Sequence, residues 1–119
     1  MLEDTTRVNL LYDFYGSLLT AKQKECLELY YQDDLSLAEI ADHSDISRQG
    51  VHDLVKRAVK SLEKAEKRLG LVARFTSQEK HYKRLQQILS QREIPESQRL
   101  EALNIVQQLL EEARWRNKL

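Results

Sequence analysis

The sequence predicts an all-α fold, and three observations carry that prediction. Only three Gly and one Pro punctuate 119 residues, while Leu, Glu, Lys, Gln and Arg, all good helix formers, are abundant. Apolar residues recur at three- and four-residue steps along nearly the whole chain, which is the period of one helix face. Helix-start chemistry stands ahead of several of these runs. Thr20 with Gln23, Ser36 with Glu39 and Thr76 with Glu79 have the spacing of a capping box, in which the two side chains satisfy each other's free backbone N–H groups.

A first helix is expected over residues 5–19. Val8, Leu11, Tyr12, Tyr15, Leu18 and Leu19 share one face, and Gly16 weakens the last turn at a cost of about 1 kcal/mol. Thr20 then starts a second helix, which runs to about Gln32, where Asp33-Asp34 ends it. Its apolar residues include Cys26, Leu27, Leu29 and Tyr30. Tyr30 and Tyr31 are read as core residues rather than as platforms for stacking bases.

Ser36 to Lys56 is the stretch around which the rest is organised. Ser36 starts one helix and Ser47 caps another, with the turn His43-Ser44-Asp45 between them. Leu37, Ile40, Ala41, Ile46, Val51, Leu54 and Val55 can meet on the inside of that corner. This is the pattern of a helix-turn-helix, whose second helix enters the DNA major groove. Asp45 holds the turn position that Gly commonly takes, and Asp visits the left-handed region more readily than most residues. Gly50 either relieves crowding in the first turn of the second helix or lets backbone approach a phosphate; packing is the favoured reading. That helix is expected to reach Leu69, with Gly70 as its C-cap. Val51, Val55, Ala58, Leu62, Ala65 and Leu69 form a heptad-like seam along it that wants a partner helix.

A fifth helix is expected from Thr76 to about Arg92, with Tyr82, Leu85, Ile88 and Leu89 inward. Ile94-Pro95 breaks it. A last helix follows over about 96–116, with a stripe of Leu100, Leu103, Val106, Leu110 and Ala113 that Ile105, Leu109 and Trp115 broaden. These two helices read as a hairpin. The expected organisation is a helix-turn-helix module over 1–70 and a helical extension over 71–119 for packing or dimerisation.

Lys+Arg and Asp+Glu are equal at 19 each, so net charge is zero. The distribution is uneven: residues 1–47 carry a net −7, residues 48–74 a net +5 and residues 75–119 a net +2. Positive charge begins where the proposed recognition helix begins, and such an asymmetry can make an electrostatic footprint on a neutral protein. Ser47, Arg48, Gln49, His52, Asp53 and Lys56 face away from the Val51/Leu54/Val55 side. Arg48 and Gln49, at the helix N-terminus, are placed for base edges, where Arg pairs with guanine and Gln with adenine. Lys56 and Arg57 suit phosphates. Free N–H groups at the helix starts of Ser36 and Ser47 can receive phosphate oxygens. Asp53 fits such a surface only by accepting from cytosine or by pairing with a neighbouring Arg or Lys.

Catalysis finds little support. His43, His52 and His81 lack metal-ligand spacing, with no Cys cluster beside them. No Gly-rich phosphate loop or nucleophile signature occurs. No cofactor or metal is expected. The lone Cys26 fits inert packing in a reducing compartment. No apolar run approaches the roughly 20 residues of a membrane span, and the acidic start does not resemble a signal peptide. A cytoplasmic protein is expected.

Over residues 19–69 the chain resembles the fourth conserved region of bacterial sigma factors, which reads the −35 promoter element. The matching runs are Leu19-Thr-Ala-Lys-Gln-Lys-Glu-Cys-Leu-Glu-Leu-Tyr-Tyr, then Leu35-Ser-Leu-Ala-Glu-Ile-Ala, then Ile46-Ser-Arg-Gln-Gly-Val. The other sigma regions are absent. Over nearly its whole length the chain is similar to the YlxM family, through Leu10-Leu-Tyr-Asp-Phe-Tyr-Gly-Ser-Leu-Leu-Thr, the helix-turn-helix and Lys56-Arg-Ala-Val-Lys-Ser-Leu-Glu. These are small all-helical proteins of Gram-positive bacteria, expected to bind DNA. Their genes typically neighbour those of the signal recognition particle GTPase and its receptor. The resemblance implies DNA-facing roles for Arg48, Gln49, His52 and Lys56, and transcription regulation linked to protein targeting. An adaptor that binds a protein or ribonucleoprotein of that pathway is the alternative. The seam and the extension together suggest a homodimer.

Overall fold

A computed structural model describes residues 4–114. Among the described residues there are six α-helices and no strand: α1 Thr5–Tyr15, α2 Ala21–Tyr31, α3 Leu37–Ser44, α4 Arg48–Leu69, α5 Leu71–Leu89 and α6 Glu96–Ala113. The all-α, helix-turn-helix expectation holds. Trp115 lies outside the described residues. The chain divides into two compact units, Met1–Val72 and Ala73–Leu119.

In the first unit the local start signals act as their spacing predicts. Thr20 and Gln23 close a capping box at α2, and Ser36 and Glu39 close another at α3. Ser47 Oγ accepts the Gly50 N–H at 3.0 Å to begin α4. Asp45 ends α3 in the left-handed region at φ 57°, so the chain turns there without glycine. The first helix is shorter than expected. It stops at Tyr15 and tightens into a 3-10 turn over Gly16–Leu18. Gly16 is required there, because a Cβ would stand 2.7 Å from the Tyr12 ring. The change of pitch turns Leu18 outward, where it is 68 % exposed rather than part of the core face.

The core joins Val8, Leu11 and Tyr15 of α1 with Cys26, Leu27 and Tyr31 of α2, Ile40 and Ala41 of α3, and Val51, Val55, Ala58, Val59 and Leu62 of α4. Burial of such side chains is the main favourable term, at about 25 cal/mol per Å². The α4 seam therefore finds its partners within its own unit; Ala65 is half-buried and Leu69 exposed. Carboxylates and phenols tie the rim. Arg7 pairs bidentately with Glu63 at 2.6 and 2.8 Å. Tyr12 donates to Glu28; burial first, then that carboxylate, pushes its phenol up to about 12.

The start of α5 overturns the expected Thr76/Glu79 capping box, because Thr76 lies inside the helix. Gly70 ends α4 in the left-handed region at φ 65°, and α5 begins at the next residue. Its first two residues, Leu71 and Val72, belong to the first unit, which also supplies the acceptors for their free N–H groups. Leu71 N–H donates to Tyr15 Oη at 3.0 Å, and Val72 N–H donates to Glu66 Oε1 at 2.9 Å. Tyr15 in turn donates to Glu66 Oε1 at 2.6 Å. Burial and then this carboxylate raise its phenol pKa.

In the second unit α5 and α6 form an antiparallel hairpin. Arg84 clasps Glu101 at 2.7 and 2.8 Å, Gln91 reaches Gln98, and Arg74 donates to the Glu112 carbonyl at 3.1 Å. Among the described residues, Ile88 and Ile105 are its buried ones. The inward faces differ from those expected. Tyr82 and Leu89 are 56 % and 65 % exposed, and Leu100, Leu103, Val106 and Leu110 are exposed as well. A two-helix hairpin has one shared inner face, so it can cover only one of the two apolar stripes on each helix. The expected stripe on α6 is the uncovered one.

Candidate nucleic-acid interface

The corner between α3 and α4 is built from its backbone outward. Capped starts fix where each helix begins, and Asp45 sets the bend between them. Gly50 sits where α4 meets the turn: a Cβ would stand 2.6 Å from Ile46 Cγ2 and 3.0 Å from Ser47 Oγ. The steric reading of this glycine is therefore sufficient. Ile40, Ala41, Val51 and Val55 lock the two helices against the core.

The outer side of this corner is a shallow groove of about 750 Å³ lined by Ser36, Leu37, Ala38, Arg48, Gln49 and His52. It brings the start of α3 and the first turn of α4 together. Ser47, Arg48, Gln49, Lys56 and Arg57 are exposed; His52 and Asp53 are half-buried. A second depression of about 380 Å³ follows along α4, lined by Asp53, Lys56, Arg57 and Lys60. Thr20, Gln23, Gly50, Asp53, Leu54 and Arg57 line a third, of about 340 Å³, towards α2. Lys60, four residues beyond Lys56, lines the same surface, although Arg57 is the last residue assigned to it from the sequence. The i, i+4 spacing was the available signal.

Two details qualify the expected roles. Asp53 pairs with neither Arg nor Lys: Gln49 Nε2 donates to Asp53 Oδ1 at 3.0 Å. His52 Nδ1 lies 3.5 Å from the same oxygen, within ion-pair range but outside hydrogen-bond geometry. Gln49 keeps its carbonyl and one N–H, the two groups that adenine recognition requires. At α3, Ser36 N–H donates to Glu39 Oε1 and Glu39 N–H to Ser36 Oγ. The Ser36 backbone N–H first, and the Ser36 hydroxyl second, hold the Glu39 carboxyl below its usual range, and the carboxylate already faces the helix N-terminus. A phosphate arriving there would find the first-turn N–H groups of Leu37 and Ala38, which have no intrahelical acceptor. On α4 the equivalent groups are those of Arg48 and Gln49.

Among the described residues no group of three or more His, Cys, Asp or Glu side chains could hold a metal, and no helix is long and apolar enough to cross a membrane. Cys26 is buried in the core.

A capped α3, a left-handed turn and a long α4 with its polar edge outward define a helix-turn-helix protein. The family model described as "Putative helix-turn-helix protein, YlxM / p13 like" matches residues 2–111. The chain belongs to this family, UPF0122. UPF0122 proteins of Bacillus mycoides (strain KBAB4), Bacillus cereus (strain AH187) and Bacillus anthracis (strain A0248) are each 50 % identical to it over 93 residues, covering 78 % of this chain and 84 % of theirs.

Proposed function

We propose that this protein is a cytoplasmic regulator that acts by binding duplex DNA rather than by catalysis, with α4 as its recognition helix. One observation carries this reading: Arg48, Gln49 and His52 line a single open groove with the start of α3, and Lys56 and Arg57 continue it. That is the arrangement in which base-reading and phosphate-holding groups approach a major groove together. Ser36 and Ser47 serve it indirectly, by fixing the two helix starts. Fluorescence anisotropy on a random-sequence duplex across a salt series tests it, because phosphate contacts make affinity fall steeply with salt. Arg48→Ala should cost roughly 1–3 kcal/mol on a preferred sequence, and Lys56→Ala should weaken all sequences alike. Absence of binding at low salt removes DNA as the partner.

The second reading is an adaptor for a component of the signal recognition particle pathway. The Gln49–Asp53 bond and the acidic first 47 residues favour it, since both oppose contact with phosphate. Pull-down with the particle's GTPase, with and without RNA, separates the two; no enrichment in either case rejects the adaptor.

The protein acts as a homodimer through the second unit. Phe75, Tyr82 and Leu89 recur at seven-residue steps, and Leu103, Val106 and Leu110 at three and four; all are exposed. Each stripe lies about a quarter to a third of a turn from its helix's inner face, in the same rotational sense. In an antiparallel pair that places both on one side. Side chains of this size, half exposed, each present on the order of 100 Å² of surface. Six bring roughly 600 Å² per copy, which with a polar rim approaches the ~800 Å² per partner of a stable complex. Light scattering at micromolar concentration decides: a dimer that Tyr82→Lys dissociates supports this surface, and a monomer rejects it.

A further inference from the structure

We propose that the nucleic-acid surface continues beyond the helix-turn-helix corner as a cationic ridge, residues 60–68 of α4, that follows the phosphates of the same duplex. This rests on the DNA-binding reading above and extends it past the bounds set from the sequence.

Lys56, Arg57, Lys60, Lys64, Lys67 and Arg68 recur at three- and four-residue steps, opposite the face that buries Val55, Val59 and Leu62. All six are exposed. Two carboxylates occur in the same stretch, and both are drawn off the ridge. Glu63 is held by the Arg7 guanidinium, and Glu66 by the Tyr15 hydroxyl and the Val72 N–H. Among the described residues, none of the six cationic side chains has a hydrogen-bond or ion-pair partner. A stretch of mixed sign therefore presents a single sign outward. Asp53, bound to Gln49, marks where the ridge begins.

Scale supports a phosphate partner. The 22 residues of α4 extend about 33 Å, whereas the major groove is about 12 Å wide and 8.5 Å deep. A recognition helix that meets base edges with its N-terminal residues seats its first turns in the groove, and its later turns rise past the groove wall, where the phosphates are. From Lys56 to Arg68 is about 18 Å, the axial span of about five phosphates on one strand. Attraction between the helix C-terminus and cations accounts for Lys67 and Arg68 without a ligand. It does not reach Lys60 and Lys64, because the effect fades within the last turn.

The experiment compares the wild-type full chain with Lys60→Gln/Lys64→Gln/Lys67→Gln on a random-sequence duplex, reading the slope of log affinity against log salt. Each lost phosphate contact lowers the slope by about 0.9, so a fall of about two to three is expected. A Lys60→Arg/Lys64→Arg/Lys67→Arg variant should retain the wild-type slope. Lys80→Gln/Lys83→Gln/Arg92→Gln, which removes three charges from the second unit, should leave it unchanged. Circular dichroism verifies that all variants are folded. An unchanged slope in the ridge variant overturns the ridge while leaving the corner reading intact. An equal fall in the control also overturns it, by showing that any three charges suffice. The same comparison is made on duplex RNA, and a slope loss confined to RNA rejects the DNA assignment. Failure of the wild-type protein to bind DNA at any salt overturns both readings.

Discussion

Replacing Tyr15 by Phe would test how the start of α5 is capped. The Tyr15 ring is 2 % exposed, so the substitution keeps the packing and removes only the hydroxyl. That hydroxyl donates to Glu66 at 2.6 Å and accepts the Leu71 N–H at 3.0 Å. A hydrogen bond to a charged group contributes about 1.5–3 kcal/mol net, and a buried donor left without an acceptor costs about 1–3 kcal/mol. The site is only part-buried, so water can reach some of what is lost, and about 2–3 kcal/mol is expected in total. With a urea dependence of about 1–3 kcal/mol per molar, the unfolding midpoint should fall by about 1 M or more. Glu66→Gln should cost less, because the amide oxygen can still accept from both Tyr15 and Val72. Hydrogen exchange should show the Leu71 and Val72 amides protected in the wild type and faster in Tyr15→Phe. A Tyr15→Phe protein within 0.5 kcal/mol of wild type would refute the argument that these side chains cap α5.

The remaining predictions concern the corner and the titrating groups. Gly50→Ala should destabilise by about 1–3 kcal/mol through the clash with Ile46, although Ala normally favours a helix; an Ile46→Ala background should relieve it in thermal unfolding. Asp53→Ala should tighten non-specific DNA binding about fivefold at low salt, since a like-charge contact near 4 Å costs about 1 kcal/mol in water. Unchanged anisotropy would remove Asp53 as a repulsive element. The carboxyls of Glu39, Glu96 and Glu101 are lowered by bonds to Ser36, Arg99 and Arg84 respectively. They therefore contribute stability that is present above the unfolded Glu value of about 4.3 and is lost as pH falls through their lower folded values. Tyr12 runs the opposite way. Its raised pKa of about 12 makes its contribution complete below about pH 10 and lost as pH rises through 12. Urea midpoints measured from pH 2.5 to 12 should decline at both ends.

What the sequence made legible was local. Thr20 with Gln23, Ser36 with Glu39, Ser47, Asp45 and Gly70 each act within a few residues of themselves, so their spacing specifies the geometry. The start of α5 was not legible, because its caps are Tyr15, which is 56 residues from Leu71, and Glu66 on the preceding helix. Thr76 offered a local alternative that tertiary capping outcompeted. The hairpin faces were misread for a different reason. Periodicity identifies apolar stripes but not which stripe meets a neighbour, and α6 has two, with Ile105 buried and Leu103 and Leu110 exposed. At the corner, spacing placed Arg48, Gln49 and His52 on one edge, where the groove is. It did not give the Gln49–Asp53 bond, because charge pairing pointed that carboxylate to an Arg, a Lys or a cytosine and not to a neutral amide four residues back.

Gly70 has one further consequence. A Cβ there would meet nothing within 4 Å, so the surroundings do not forbid a larger residue; only the backbone angle does. Most L-residues would be strained at that angle, although Asp34 and Asp45 of the same chain hold a similar one. Where that angle is lost, Tyr15 and Glu66 lose the Leu71 and Val72 amides they now hold. The start of α5 therefore rests on a single dihedral angle and the two side chains that reward its sign.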